Sequence, residues 1–316
     1  LRQFKNKNFF EVSLKFEPTY QYLDFVRKEI RKRNFYFDSI LAIGGGSTMD
    51  IGKSLAVVYN SKKNSIKFKG IHKTISNKVL NVGCIPSTIG TGSEVTYKAS
   101  LINETDNVKF GINYINNYPK FAILDPEIIK SGPLKIIINS GLDALVHCLE
   151  SHASIISTEE TKILSKFAFS KITNGLSNIL NGSKKNKDIL DCQIGAVFAM
   201  IAMSNTSPGP MTALSYFIGT RYKIPHGIAS GILIKVFVKL NLKNGYFYGG
   251  IDKNEKLFKR KINKIIQNKR IKKLSKYYFS LVLSDELKLF LQSNNICRYN
   301  PIKIKQKNII DIINAR

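Results

Sequence analysis

The stretch that most constrains the fold of this chain is Ile40-Leu-Ala-Ile-Gly-Gly-Gly-Ser-Thr-Met-Asp-Ile-Gly-Lys53. Its apolar start predicts a buried parallel strand, and the three glycines permit a tight turn in which the backbone closely approaches a bound group. A helix that begins after such a turn directs its first N–H groups and its positive dipole end at an anion, for example a dinucleotide pyrophosphate. Ser47 either caps this helix or contacts a phosphate oxygen. The spacing is not GxGxxG, so a plain strand-to-helix turn is the alternative interpretation.

Alternating strands and helices surround this turn. Helical periodicity predicts a helix at residues 20–33, and the polar, basic residues 60–75 predict a loop. The order is typical of a doubly wound α/β domain, in which ligands bind at the carboxyl ends of the strands. We assign residues 1–132 to this nucleotide-binding domain. The predicted strands are residues 9–16, 40–43, 79–85 and 121–124.

The character of the sequence changes after Gly132-Pro133, because long apolar-periodic stretches follow that are separated by Gly, Asn and Pro. We predict an all-helical second domain over residues 133–316. Residues 253–275 combine a dense Lys/Arg run with spaced apolar residues, which predicts the solvated face of an amphipathic helix; a nucleic-acid-binding arm is the alternative. The other predicted helical stretches are residues 139–155, 159–180 and 187–204.

Length and composition fit a globular protein with sizeable cores. The chain has 316 residues, 43% of them hydrophobic, which is enough for one large or two medium domains. A formal net charge of +27 attracts anionic ligands and, non-specifically, nucleic acid or membrane surfaces. The basic excess is spread along the chain and accompanies no known nucleic-acid-binding module, so we expect no specific nucleic-acid partner and no membrane partner. A phosphorylated or phosphonate substrate would suit this charge.

The cysteines and the apolar segments indicate a reducing compartment. Cys84, Cys148, Cys192 and Cys297 are far apart and form neither a CxxC pair nor a disulfide framework. No segment approaches 18 unbroken apolar residues, and the first residues lack the apolar core of a signal peptide. The cytoplasm is therefore the expected location. Because the chain begins with a leucine rather than a methionine, we expect its biological start to lie elsewhere.

A carboxylate and an imidazole are spaced for metal binding in Gly141-Leu-Asp-Ala-Leu-Val-His-Cys-Leu-Glu150. Asp143 and His147 are four residues apart in a helical stretch, so both side chains project from one face. Oxygen and nitrogen donors of this kind suit zinc or iron, although a surface Asp–His hydrogen bond explains an isolated pair equally well. His226 lies at a turn restricted by Pro and Gly, and it completes a site if it is near in space. The other two histidines are interpreted as bystanders.

Hydroxyl side chains surround two glycines directly after the strand at residues 79–85. The loop is Pro86-Ser-Thr-Ile-Gly-Thr-Gly-Ser-Glu94. Such a loop can bind ribose and phosphate oxygens while its glycines let the backbone come close. Alone it could be any polar turn. Beside the first glycine turn of the same domain, it predicts the second wall of a nucleotide cleft.

Four ordered motifs carry a family resemblance. They are Gly44-Gly-Gly-Ser-Thr-Met-Asp-Ile-Gly-Lys53, Pro86-Ser-Thr-Ile-Gly-Thr-Gly-Ser-Glu-Val-Thr96, Gly141-Leu-Asp-Ala-Leu-Val-His147 and Ile224-Pro-His-Gly227. Together they resemble the signatures of the iron-containing (group III) alcohol dehydrogenases. The resemblance covers residues 9–235 and continues at Arg298-Tyr-Asn-Pro301, which is similar to the family's closing segment. It implies a dehydroquinate synthase-like fold, with a nucleotide-binding α/β domain, a helical metal-binding domain, and a cleft where NAD or NADP meets an alcohol or aldehyde.

The resemblance also implies roles for individual residues. Those that hold or line the pyrophosphate would be Gly45, Gly46, Ser47, Thr48 and Met49. Those around the ribose and nicotinamide would be Ser87, Thr88, Thr91 and Thr96, with Lys109 approaching the cofactor. Asp143, His147 and His226 would bind iron or zinc and form the catalytic centre. The ion would polarise a carbonyl or stabilise an alkoxide while hydride moves to or from nicotinamide C4. We also expect a homodimer.

Two departures from the family pattern bear on this interpretation. Thr212 occupies the position of the family's fourth metal ligand, a histidine. Three protein ligands with water or substrate still form a workable catalytic site, so the change weakens metal retention without excluding metal. The strand and helix expected before residue 9, which carry the determinant of NAD versus NADP choice, are absent, and this would leave a sheet edge uncovered.

The main hypothesis is an alcohol dehydrogenase or aldehyde reductase that depends on a metal and NAD(P). Because Ala213-Leu-Ser-Tyr216 resembles the branch of the family that includes phosphonoacetaldehyde reductases, phosphonoacetaldehyde is one candidate substrate. A sugar-phosphate cyclase of the dehydroquinate synthase type, which uses NAD transiently, is an alternative, against which the loop at residues 86–96 argues. A second alternative is a non-catalytic or decayed fragment that keeps the fold and has lost the chemistry.

Overall fold

A computed structural model of the chain describes residues 9–14, 16–106, 108–246, 248–279 and 298–302. The chain divides into two compact units. The first unit comprises residues 1–86 and 96–123, and the second comprises residues 87–95 and 124–316. The loop at residues 87–95 therefore belongs to the second unit. The functional division at residue 132 into a cofactor domain and a metal-binding domain stays a prediction.

The first unit is an α/β structure. Its described helices are α1 (Tyr20–Lys32) and α2 (Gly46–Val58), and its strands are β1 (Ser39–Gly44), β2 (Gly70–His72), β3 (Asn81–Pro86), β4 (Ser100–Asn103), β5 (Val108–Tyr114) and β6 (Phe121–Ala122). One sheet is parallel, in the order β1-β3-β6; in the other, β5 pairs in parallel with β2 and antiparallel with β4. Gly44 lies beside Pro86, so β1 and β3 end together and the glycine turn emerges at their carboxyl ends.

Helix α2 follows the glycine turn and packs into the core of the first unit. Met49, Ala56 and Val57 are completely buried there, in one cluster with Ala42 of β1 and Val82 of β3. Burying side chains of valine or methionine size contributes about 1.5–3 kcal/mol each, so this face fixes the helix on the sheet. The start of α2 is thereby held at the end of β1.

The prediction of a strand at residues 9–16 is wrong for the described part of that segment, which forms no strand. Phe10, Val12 and Leu14 pack against the core of the first unit, and this one-sided packing explains the alternation. The predicted loop at residues 60–75 contains a short 3-10 helix at Ser65–Phe68 as well as β2. Strand β5 was not predicted from the sequence, although Val, Phe, Ile and Tyr alternate along it.

The described part of the second unit is built from helices. They are α3 (Pro126–Lys130), α4 (Leu134–Ala153), α5 (Glu159–Leu180), α6 (Asn186–Thr206), α7 (Pro210–Tyr222), α8 (His226–Lys243), α9 (Glu255–Ile266) and α10 (Lys269–Phe279). Residues at the helix ends determine where some of these helices begin. Thr158 and Thr161 form a capping box at the start of α5, and Pro210 occupies the first turn of α7. The basic stretch at residues 253–275 corresponds to α9 and most of α10, and α9 buries Phe258 and Ile262.

Two further expectations concern membranes and cysteines. Among the described residues, α6 alone is long and apolar enough to cross a membrane. Half of its most apolar stretch is buried within the protein, where α6 packs against α4 and α5. Cys84, Cys148 and Cys192 are buried thiols. Cys297 lies outside the described residues.

Candidate functional site

Helix α4 carries two of the three predicted metal ligands in its buried middle. Asp143 and His147 lie one turn apart and are only 7% and 5% exposed. Both residues are buried because α5, α6 and α8 all pack against α4. A carboxylate and an imidazole removed from water in this way require polar or ionic partners, since desolvation without compensation is costly.

His226 reaches α4 because the start of α8 packs closely on that helix. The N–H of Ile228 donates to Oδ1 of Asn139 at 2.9 Å. A Cβ atom on Gly227 would lie 1.9 Å from the carbonyl oxygen of Asn139, so only glycine permits this approach. The first residue of α8, His226, is thereby placed beside Asp143.

The three predicted ligands converge on one point. Oδ1 of Asp143 lies 3.5 Å from Nε2 of His147 and 3.4 Å from Nε2 of His226, and one ligand atom from each residue lies within 4.8 Å of the others. The two carboxylate–imidazole distances exceed a normal N–H···O hydrogen bond. They match the separation of about 3.4 Å expected between two ligands of a tetrahedral ion with bonds of about 2.0–2.1 Å.

Two buried polar atoms of Asp143 and His147 are also consistent with a metal ion at this cluster. Among the described residues, neither Oδ1 of Asp143 nor Nδ1 of His147 has a hydrogen-bond partner, although both atoms are buried. Buried polar atoms in native proteins are nearly always paired, so each such atom requires an explanation. A divalent ion bound through Oδ1 of Asp143 would satisfy that carboxylate, and the residues therefore fit such an ion.

His226 is fixed by the adjacent helix α7. Its Nδ1 lies 3.1 Å from Oγ of Ser215, and the Ser215 hydroxyl donates to the carbonyl oxygen of Thr212 at 2.7 Å. The ring of Tyr216 stacks on the imidazole with a centroid distance of 4.6 Å and an interplanar angle of 24°. Both contacts leave Nε2 directed toward Asp143.

Thr212, at the position of the family's fourth ligand, is engaged by a buried glutamate. Its hydroxyl donates to Oε2 of Glu150 at 2.7 Å, and its N–H donates to Oε1 at 3.2 Å. The N–H groups of Gly209 and Met211 also donate to this carboxylate. Glu150 therefore accepts the hydrogen bonds offered by the start of α7, where a negative charge is favourable. Burial nevertheless raises the pKa of Glu150 to about 7.

The glycine turn lies directly before α2, where the sequence predicts an anion site. Gly45 is the N-cap, without a side-chain cap, so the capping interpretation of Ser47 is wrong. The Met49 N–H makes the first intrahelical hydrogen bond, to the Gly45 carbonyl at 3.1 Å, and the N–H groups of Gly46, Ser47 and Thr48 precede it. These three N–H groups and the helix dipole suit an anion. The side chain of Met49 is fully buried beneath the turn.

The loop at residues 87–95 packs on α4 of the second unit through its backbone. The Ile89 N–H donates to Oγ of Ser140 at 3.2 Å, and a Cβ on Gly90 would lie 1.5 Å from the Ser140 carbonyl oxygen. The hydroxyls of Thr88 and Thr91 are buried and have no hydrogen-bond partner in the described part of the chain. The Ile89 side chain also packs in the core of the second unit, so the loop does not depend on these two hydroxyls for its position.

The remaining predicted cofactor residues lie at separate positions. Ser87 is half-buried at the start of the loop, whereas Thr96 is buried in the first unit, where its carbonyl accepts from Nζ of Lys53 at 3.1 Å. Lys109 on β5 forms an ion pair with Glu17 at 2.7 Å.

The two histidines interpreted as bystanders make structural contacts. Nε2 of His72 lies 2.9 Å from the Phe68 carbonyl, and Nε2 of His152 lies 3.0 Å from the Gly249 carbonyl. Ser215 and Glu150 were not predicted from the sequence. A carboxylate inside an apolar helical run was an available signal for Glu150, whereas the role of Ser215 depends wholly on the packing of α7 against α8.

The described residues combine an α/β unit, which has a glycine turn before α2, with a helical unit, which has a carboxylate–imidazole cluster that could hold a metal ion. The sequence profile described as iron-containing alcohol dehydrogenase matches residues 4–126, and that of the carboxy-terminal domain of the same family matches residues 137–288. The chain belongs to the iron-containing alcohol dehydrogenase family.

Individual relatives agree with this assignment. The 4-hydroxybutyrate dehydrogenase of Clostridium kluyveri is 35% identical over 216 residues, which cover 68% of this chain and 57% of that protein. An alcohol dehydrogenase of Thermococcus barophilus is 29% identical over 238 residues, which cover 73% and 60%. The chain thus spans less than two thirds of these curated relatives.

Solved structures confirm the predicted fold class. A sulfoacetaldehyde reductase from Bifidobacterium kashiwanohense, solved in complex with NAD+, has a TM-score of 0.82 to this chain at 22% identity, covering 96% of this chain and 82% of that one. A 1,3-propanediol oxidoreductase has a TM-score of 0.80 with the same identity and coverage. At this level of identity the likeness concerns the fold alone.

Proposed function

We propose that this chain is a metal- and NAD(P)-dependent oxidoreductase that interconverts a small alcohol and the corresponding aldehyde. The observation that carries the proposal is the convergence of Asp143, His147 and His226, whose ligand atoms lie within 4.8 Å of one another. Membership of the iron-containing alcohol dehydrogenase family supports it.

The metal would be held by Oδ1 of Asp143 and Nε2 of both histidines. Carboxylate and imidazole donors suit iron or zinc, and three protein ligands leave room for a substrate oxygen. The ion supplies Lewis-acid polarisation of a carbonyl or stabilisation of an alkoxide. The residues of the chain contribute a buried, fixed arrangement of donors, which limits water around the reacting group.

The cofactor would be held by the residues predicted from the family motifs. The N–H groups of Gly46, Ser47 and Thr48 at the start of α2 would bind the pyrophosphate, and Gly45 lets the turn approach it. Hydroxyls that follow β3 would bind the ribose and the nicotinamide end. These are Ser87, Thr88, Thr91 and Thr96, with the Lys109 ammonium as a further contact.

We infer that the substrate carries an acidic group. The net charge of +27 favours anions, and two matched proteins are named for acidic substrates, 4-hydroxybutyrate and sulfoacetaldehyde. Phosphonoacetaldehyde belongs to this class. A panel of phosphonoacetaldehyde, sulfoacetaldehyde, succinate semialdehyde and uncharged propanal, each followed by NADH or NADPH oxidation, tests the inference. Turnover of propanal with a higher kcat/KM than all three anions would contradict it.

The site is tested with the double variant Asp143→Asn/His226→Ala. It removes two of three ligands, so bound metal and aldehyde-dependent NAD(P)H oxidation should both be lost. His152→Gln is the matched control, since this buried histidine of the same helix contacts Gly249 and lies outside the cluster. Unchanged activity in the double variant would rule out the site.

The same experiment separates the non-catalytic alternative. A wild-type protein that binds neither metal nor NAD(P)H would favour a fragment that keeps only the fold. We extend the proposal to a cytoplasmic homodimer; the molar mass in solution, measured by light scattering, tests the dimer.

A further inference from the structure

We propose that Ser215 is a positioning residue for the metal centre: its hydroxyl holds the His226 imidazole in the tautomer that presents an unprotonated Nε2 to the ion. The inference rests on the proposed function and concerns a residue outside the three ligands. It follows from the direction of two hydrogen bonds and from the anchoring of α7.

The direction of the hydrogen bonds is set by the carbonyl of Thr212. A carbonyl oxygen only accepts, so the 2.7 Å contact from Oγ of Ser215 must use the single hydroxyl proton of that serine. The contact of 3.1 Å between the same Oγ and Nδ1 of His226 then requires the proton to be on Nδ1. A neutral imidazole protonated at Nδ1 has its lone pair on Nε2, which is the atom 3.4 Å from Asp143.

The hydroxyl can direct the imidazole only if the first turn of α7 is itself fixed. Glu150 fixes it, because its carboxylate accepts from Gly209 N–H at 2.9 Å and from both the N–H and the hydroxyl of Thr212. Glu150 lies on α4, the helix that supplies Asp143 and His147. Helix α4 therefore provides two ligands directly and positions the third through Glu150, Thr212 and Ser215.

The two histidines differ in their need for such support. The His147 side chain is 7% exposed and enclosed by the core, whereas that of His226 is 20% exposed and lies at the first residue of a helix. Tyr216 stacks on the His226 ring and limits its tilt. Stacking on a ring face does not distinguish the two nitrogens, whereas the contact of Nδ1 with Oγ of Ser215 does.

The first experiment observes the tautomer directly in metal-free protein. Long-range ¹H–¹⁵N correlation spectra of ¹⁵N-histidine-labelled protein at pH 8.5 report which ring nitrogen carries the proton, and a His226→Gln spectrum assigns the signal. We expect the Nδ1-protonated form in the wild type and a shift toward Nε2 protonation in Ser215→Ala. A purely structural role of the serine would not change this signal. An unchanged tautomer in Ser215→Ala would overturn the proposal.

The second experiment measures metal affinity by titration with Co²⁺, followed in the visible spectrum. Loss of a group that orients a metal ligand typically weakens binding about 10- to 100-fold, and we expect this for Ser215→Ala. Ser165→Ala is the matched control, because Ser165 is equally buried and its hydroxyl donates to a helical carbonyl at 2.7 Å, that of Thr161. Thermal unfolding of the two metal-free variants shows that both fold.

The possible failures are distinguishable. If Ser215→Ala binds Co²⁺ as tightly as Ser165→Ala, the positioning role is wrong while the metal site stands. If the wild type itself binds no Co²⁺, the proposed function fails, and the tautomer spectrum still decides whether Ser215 orients His226.

Discussion

Glu150 is a carboxylate buried in the second unit. Desolvation raises its pKa from 4.5 to about 7 against the opposing effect of hydrogen bonds from Thr212, Gly209 and Met211. Between these two pH values the folded protein holds a proton that the unfolded chain has lost. The contribution of this group to stability is therefore complete below pH 4.5 and is lost as the pH rises through about 7.

Replacing the Glu150 carboxyl with an amide should remove this pH-dependent contribution to stability. We expect the free energy of unfolding of the wild type, relative to Glu150→Gln, to fall by on the order of 3 kcal/mol between pH 4.5 and 7, since each unit of pKa shift corresponds to about 1.4 kcal/mol. Urea unfolding in chelator at several pH values measures this. A difference that stays constant with pH would contradict the prediction.

The variant Glu127→Gln serves as a control, because the stability contributed by Glu127 should change with pH in the opposite direction. Hydrogen bonds from Asn186 and Lys130 lower the pKa of this exposed glutamate. Its contribution is present above the unfolded pKa and is lost as the pH falls through the lower folded value. Relative to Glu127→Gln, the wild type should therefore gain stability with rising pH in the acidic range.

At the scale of elements, the approach of α8 to α4 determines whether the three candidate metal ligands meet. Gly227 permits this approach, because any Cβ there would meet the backbone of Asn139 at 1.9 Å. The hydrogen bond from Ile228 to the Asn139 side chain then fixes the register of the two helices. The convergence of His226 on Asp143 is a consequence of this close packing.

We expect Gly227→Ala to destabilise the protein by roughly 1–3 kcal/mol, the usual cost of overpacking a core, and to weaken Co²⁺ binding at least tenfold. The clash is with backbone, so α8 must move and carry His226 with it. Gly249→Ala is the control, since nothing lies within 4 Å of a Cβ at that position. Urea unfolding and metal titration measure both effects, and an unchanged affinity would show that the approach is not required.

At the scale of the whole molecule, the large positive net charge produces repulsion between the charged side chains. The 49 Lys and Arg against 22 Asp and Glu give +27, so like charges repel one another over the folded surface. Exposed ion pairs such as Lys162–Glu159 contribute at most about 1 kcal/mol and do not offset this repulsion. The repulsion opposes the compact state more than the expanded one.

Salt should therefore stabilise this protein. We expect the unfolding temperature to rise by a few degrees between 20 mM and 0.5 M NaCl and then to level off, because the Debye length falls from about 10 Å at 0.1 M to about 3 Å at 1 M. Scanning calorimetry measures the change, with a neutral osmolyte at equal osmolality as the control. An unfolding temperature that falls with NaCl would contradict the prediction.

Much of the local structure could be predicted from short stretches of sequence. The limits of α5 match the prediction because Thr158 starts a capping box and a regular apolar face follows. The pairing of Asp143 with His147 follows from helical spacing, and the turn before α2 follows from its glycines. Residues 9–16 show the limit of such patterns, because one-sided packing produces the same alternation as a strand.

The sequence by itself determined the helices, the glycine turn and the residue types that bind a metal, because capping, periodicity and steric limits act over a few residues. Only the tertiary structure decided that His226 meets Asp143, that Glu150 holds the start of α7, and that Ser215 directs an imidazole. Contacts of this kind join distant segments: Asn139 and Ile228, whose hydrogen bond holds α8 on α4, are 89 positions apart in the sequence. Their geometry depends on how whole helices pack, and no short stretch of the chain encodes that.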